Sequence, residues 1–169
     1  MIATRVIAVF LSAGLSACSL FDARLPYSER LSTPKIIEVE AHQGFIAEKV
    51  FRVATLNTAH GRKSSFHQLF LGASTIRKNL LDIAEFLNQT KPLVVALQET
   101  DGPSFWSGDF DHVAFLAGKA NFPWYVRAEH VQNIWGRYGT GFLSRAPIVE
   151  ARSLSFLPSP PTSRKGFTA

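Results

Sequence analysis

Within about fifty residues the hydrophobic period of this chain changes twice, and that change limits the folds open to it. Residues 49–57 read as a well-buried strand, with Phe51, Val53 and Thr55 alternating with Arg52, Ala54 and Leu56. A helical period follows over about residues 74–88. Ile76, Leu80, Ile83, Ala84 and Leu87 share one face, while Arg77, Lys78, Asp82 and Glu85 cover the others. Ser74 or Thr75 is placed to cap its start, and Pro92 prevents its continuation. Residues 93–98 (Leu-Val-Val-Ala-Leu-Gln) then form a continuous apolar strand that ends at Glu99. Strand, helix and strand in this order make a βαβ unit with a right-handed crossover. Both strands of such a unit point the same way, so Asn57 and Glu99 emerge on one edge of the sheet, where ligand sites collect. An unpaired carboxylate at the tip of an apolar strand is costly. A hard cation would satisfy Glu99, since Mg2+ is often held by one or two carboxylates with water and substrate phosphate. An arginine or capping backbone N–H groups would satisfy it too.

The rest of the chain suits a turn-rich mixed domain. A length of 169 residues, 46% hydrophobic and 18% charged, excludes a disordered tail and fits one domain of ordinary size. No apolar run reaches the roughly 20 residues of a membrane span. The single cysteine excludes an internal disulfide or a multi-cysteine zinc site. A short strand is expected at 36–40, a helix near 112–119, strands at 124–131 and 139–144, and a strand pair at 148–157 and 166–169. His130, on one of these strands, reads as structural.

The N-terminus reads as an address. Met1 to Arg5 is a short basic start, and an apolar stretch ending in small residues follows, as in a secretory signal over residues 1–17. Leu15-Ser16-Ala17-Cys18 resembles the lipobox of bacterial lipoproteins. That resemblance implies cleavage before Cys18, lipidation of its thiol, and attachment to a membrane of the bacterial envelope through several acyl chains. Ser19 after the cysteine favours the outer membrane in a two-membrane envelope. Residues 18–48 then serve as tether and lead-in, with Pro26 and Pro34 in the tether, and the domain occupies 49–169.

Four segments in order resemble the endonuclease/exonuclease/phosphatase superfamily. They are residues 51–57 followed by His60-Gly61, residues 93–99 ending Leu-Gln-Glu, residues 138–145 (Tyr-Gly-Thr-Gly-Phe-Leu-Ser-Arg) with Pro147 beyond, and Arg164-Lys165-Gly166-Phe167. The resemblance implies an α/β fold, a two-sheet α/β sandwich flanked by helices (DNase-I-like). It also implies Mg2+-dependent attack of water on a phosphate ester, with Mn2+ as a substitute ion. Glu99 would then hold the metal, with Asn57 seated beside it as the second metal-site residue, orienting a bound water or the glutamate. His60, Arg62 and Arg164 are candidates to meet substrate phosphate, and Lys63 lies beside them. The substrate could be nucleic acid, or a lipid or inositol-phosphate headgroup. The net charge of +5, falling to +4 once residues 1–17 are removed, is too dispersed to choose among these.

The family's later motifs provide its catalytic aspartate, transition-state-stabilising groups and general-base histidine, and these are not found after residue 166. The chain as given is therefore expected to be the N-terminal portion of such a domain, incomplete at its C-terminus and inactive alone. Gly108-Asp109-Phe110-Asp111-His112 imitates those motifs but is expected to be a decoy, because it lies in a variable segment soon after Glu99. The alternative is a non-catalytic surface lipoprotein that keeps the scaffold as a binding module.

Overall fold

In the computed structural model, which describes residues 29–39, 50–65, 71–134, 136–159 and 163–169, eight strands and two α-helices are formed. In chain order these are β1 (Arg30–Ser32), β2 (Ile36–Glu38), β3 (Val53–Asn57), α1 (Ala73–Thr90), β4 (Val94–Asp101), α2 (His112–Lys119), β5 (Trp124–Gln132), β6 (Arg137–Ser144), β7 (Ser153–Ser155) and β8 (Gly166–Thr168). The signal segment and Cys18 lie outside the described residues. No helix among the described residues is long and apolar enough to cross a membrane.

The βαβ unit forms as expected, with β3 and β4 paired in parallel from Val53 opposite Val94 to Asn57 opposite Gln98. The main sheet runs β2-β5-β6-β4-β3, and all its other pairs are antiparallel. Helices α1 and α2 cover one of its faces. Ile76, Leu80 and Leu87 of α1 pack with Val113 and Leu116 of α2 over Val95, Leu97 and Leu143 of the sheet. Each fully buried aliphatic side chain of this size contributes about 1.5–3 kcal/mol.

A second, three-stranded sheet, β1-β7-β8, packs on the opposite face, completing a two-sheet α/β sandwich. Polar side chains tie the sheets together. Buried His130 of β5 meets Ser155 Oγ through Nδ1 at 2.8 Å and Thr140 Oγ1 through Nε2 at 2.9 Å. Thr140 in turn meets Thr168 at 2.8 Å. His130 is therefore a structural bridge, in keeping with its sequence reading.

Several local expectations need correction. The strand expected over residues 49–57, β3, begins at Val53, and it is not well buried: Val53 is 64% exposed. It is the edge of its sheet, so only Ala54 and Leu56 reach the helix-covered core. Gly72, rather than Ser74 or Thr75, occupies the N-cap of α1, and no side chain caps that end. Arg30–Ser32, assigned from sequence to a tether, is a strand paired with β7. The strand through Glu99 continues to Asp101, and the last strand pair is shorter than expected, three residues on each side.

The glycine-led segment has a packing reason. A Cβ on Gly139 would lie 2.0 Å from the carbonyl oxygen of Ala128 on the neighbouring strand, so no side chain fits there.

Candidate active site at the tips of β3 and β4

Alternation with Val95 and Leu97 would carry Glu99 to the helix-covered face. A bulge intervenes. The β4–β6 register shifts between Gln98 and Thr100, and Glu99 takes a left-handed backbone with φ of 52°. A non-glycine residue pays strain there, and such positions gather at functional sites. The result leaves the Glu99 side chain 44% exposed at the sheet rim.

Asn57 ends β3 directly beside this rim, paired with Gln98. Its Oδ1 accepts from the Ala59 N–H at 2.8 Å, and its NH2 group makes no hydrogen bond among the described residues. Thr58 braces the two tips. Its N–H donates to the Gln98 carbonyl at 2.9 Å, and its hydroxyl reaches the carbonyls of Glu99 at 2.7 Å and Gln98 at 3.1 Å.

A single 3-10 turn, Ala59–Gly61, then reverses the chain, with Ala59, His60 and Gly61 all at positive φ. Asn79 of α1 fastens this turn by donating to the Gly61 carbonyl at 2.8 Å. Gly61 must be glycine, because a Cβ there would sit 2.8 Å from Ile76 on top of the left-handed backbone.

The turn delivers His60 to the site. Its Nδ1 lies 2.7 Å from the carboxylate of Asp101, which is only 1% exposed. Its Nε2 faces Glu99 at 3.8 Å, and its ring meets Tyr138 edge-on at a centroid distance of 5.1 Å. Asp101, Thr58 and Tyr138 were missed in the sequence. Asp101 had a legible signal, a carboxylate two residues beyond Glu99 on the same apolar strand, which burial obliges to find a partner.

The other sequence candidates are placed less centrally. Arg62 follows the turn and donates to the Ser65 carbonyl at 3.3 Å. Lys63 pairs with Asp82 of α1 at 2.7 Å. Arg164 is not brought to this cluster. It is 2% exposed and donates to the Phe156 carbonyl at 3.0 Å, which holds the approach to β8 and leaves the guanidinium closed to a phosphate from solvent. The decoy reading of Asp111 and His112 agrees with their surroundings. Asp111 caps α2 through the Ala114 N–H at 2.9 Å and pairs with Arg127 at 2.7 Å. His112 is buried, and loss of hydration pushes its pKa below the ordinary imidazole value. Arg145, which closes the Leu-Ser-Arg segment, fastens the other end of the sheet through the carbonyls of Pro92, Ala120 and Asn121.

A cavity of about 370 Å3 runs between β3 and α1 beside Asn57, with an apolar floor of Leu56, Ile83 and Phe86. No group of three or more His, Cys, Asp or Glu residues among those described is gathered to hold a metal. The donor set at the rim fits a lightly held hard cation instead: one accessible carboxylate, a carboxamide beside it, and room for water and phosphate oxygen.

A family model described as Endonuclease/Exonuclease/phosphatase family matches residues 54–168, more than half of the chain. No curated protein and no solved structure matches it.

Proposed function

Because the chain belongs to the endonuclease/exonuclease/phosphatase family, we propose that it is a Mg2+-dependent phosphoesterase whose metal is held by Glu99. The observation that carries this reading is the position of Glu99, turned out of the core by a left-handed bulge and left accessible beside Asn57. A divalent ion held there supplies electrostatic stabilisation of the charge that develops on the phosphate oxygens during hydrolysis. The NH2 of Asn57 orients a water or a phosphate oxygen at the same rim. Arg62 adds positive charge close by, and the groove over Leu56, Ile83 and Phe86 gives room for the group esterified to the phosphate. The substrate class is a phosphate ester of nucleic acid, or of a lipid or inositol headgroup. Mn2+ substitutes for Mg2+.

The lipobox-like Leu15-Ser16-Ala17-Cys18 supports a second part of the proposal, a lipid anchor at the envelope, with the outer membrane as its site. Mass spectrometry of the N-terminal peptide should find acyl chains on Cys18; an unmodified thiol in protein made by its native host would exclude the anchor.

The test of the site is ion binding, followed by hydrolysis of a phosphodiester. Wild-type protein should bind Mg2+ and Mn2+, and Glu99→Ala should remove that binding while leaving the far-UV spectrum unchanged. Phosphodiester hydrolysis should depend on the ion and be lost in the same variant. Ion affinity unaltered by Glu99→Ala would refute the assignment.

A further inference from the structure

Two ring nitrogens of one histidine face two carboxylates at this rim, and the two distances differ in kind. His60 Nδ1 is hydrogen-bonded to Asp101 at 2.7 Å. His60 Nε2 stands 3.8 Å from Glu99 Oε2, beyond the reach of a hydrogen bond. With Nδ1–H donating to buried Asp101, Nε2 presents a lone pair, and so does the glutamate oxygen opposite. Two acceptors that face one another are held together by a positive species between them, a proton on Nε2 or a metal ion.

The chain on both sides of the gap is braced. Thr58 ties the Glu99 carbonyl at 2.7 Å, Asn79 ties the Gly61 carbonyl at 2.8 Å, and Tyr138 meets the edge of the imidazole. A histidine paired directly with Glu99 would close to the distance it shows with Asp101. The separation of 3.8 Å is shorter than a metal–nitrogen and a metal–oxygen bond laid end to end, each about 2.0–2.2 Å for an ion such as Zn2+, so one cation can reach both atoms. Metal-binding histidines also commonly donate their second nitrogen to a carboxylate, which fixes ring orientation and raises ligand basicity.

We infer that His60 Nε2 is a second protein ligand of the Glu99 cation, with Asp101 as the outer carboxylate that positions it. This rests on the reading of Glu99 as a metal ligand and goes beyond it. An imidazole in the ligand set makes the site a mixed nitrogen–oxygen one, which binds Mn2+ and Zn2+ more tightly than Mg2+ while still admitting Mg2+ as the working ion. His60 thereby ceases to be a phosphate contact. Of the other two described histidines, His130 is engaged through both ring nitrogens and His112 is buried in the core, so neither competes for the role.

The test loads the chain with Mn2+ alone and reads pulsed electron paramagnetic resonance, in which a directly bound imidazole gives a 14N modulation. Wild-type protein should show that modulation, and His60→Gln should lose it while still binding Mn2+ through Glu99 at lower affinity. Asp101→Asn, which keeps the shape of the side chain, should retain the modulation and weaken Mn2+ about 10–100-fold, the usual cost of removing an outer carboxylate. The preference for Mn2+ over Mg2+ should shrink in His60→Gln. Binding that requires Glu99 but gives no 14N modulation would overturn the histidine ligand and leave the phosphoesterase reading in place. Binding indifferent to Glu99→Ala would overturn both.

Discussion

The brace between the two strand tips is Thr58, and its removal is the most direct probe of how the site is held. The residue is 3% exposed, and its hydroxyl proton is shared between the carbonyls of Glu99 and Gln98, the shorter contact going to Glu99 at 2.7 Å. Thr58→Val keeps the branched shape and deletes only the donor. The Gln98 carbonyl retains the Thr58 N–H at 2.9 Å, so the Glu99 carbonyl bears the loss. A net hydrogen bond is worth about 0.5–1.5 kcal/mol, and a buried acceptor left without a partner costs about 1–3 kcal/mol. Some water will reach a rim position, so a loss of about 1–2 kcal/mol is expected.

The same change should loosen the left-handed bulge that presents the Glu99 carboxylate. A tenfold loss of Mn2+ affinity is about 1.4 kcal/mol, within what one lost brace supplies. The assay pairs urea denaturation of the metal-free chain with Mn2+ titration, and Thr58→Ser serves as the control that keeps the hydroxyl. Thr58→Ser loses one buried methyl group, so it should cost about 1 kcal/mol or less and leave Mn2+ affinity unchanged. If Thr58→Val matches wild type in both midpoint and affinity, Thr58 does not hold the tips together and the bulge needs another support.

Two further outcomes follow from the packing. Gly139→Ala forces a methyl group against the Ala128 carbonyl and should destabilise the chain by about 1–3 kcal/mol or more, read as a lower urea midpoint; an unchanged midpoint would mean the strands part freely at that level. Acidification should also weaken the fold. Desolvation, and for His130 the nearby Arg30, holds the pKa of His112 and His130 below the ordinary value of 6.5. Above that value both states are neutral and stability is full. As pH falls below 6.5 the unfolded chain takes up protons first, so the urea midpoint should drop between pH 7 and pH 5, before most carboxylates titrate. A flat or rising midpoint across that window would show that these rings are not held neutral.

The parts of the fold governed by local pattern were legible in the sequence. The helical stripe through Ile76, Leu80 and Leu87 and the apolar run of residues 94–97 gave the βαβ unit, and the parallel pairing put Asn57 and Glu99 at one rim. The α2 helix, expected near residues 112–119, forms at those bounds, and the structure adds Asp111 as its N-cap. Tertiary context was not legible. Phe51 and Val53 look like core residues in the sequence, yet β3 is an edge strand, and edge position is a property of the sheet rather than of the strand. Gly72 displaced Ser74 and Thr75 as the cap because the cap is chosen by where the preceding loop enters. Arg164 matched a basic position by motif alone, and nothing local told that its head would turn inward toward the Phe156 carbonyl. Asp101 escaped because the bulge at Glu99 breaks the alternation by which its facing would be read.

That bulge has a counterpart, and the pair explains why the glycine-led strand stands between them. Both neighbours of β6 change register at one level. Thr100 and Glu129 each pair with Gly139, leaving Glu99 extra on one side and His130 extra on the other. On β4 the extra residue turns an acid out to the rim. On β5 it leaves a histidine on the inner face, where it locks the second sheet through Ser155 and Thr140. Two bulges side by side sharpen the local twist and bring the β5 backbone so close that only glycine fits opposite. The accessible carboxylate and the lock between the sheets therefore share one strained level of the main sheet. A side chain at Gly139 is expected to disturb both together, whereas Thr58→Val disturbs the rim and leaves the His130 contacts intact.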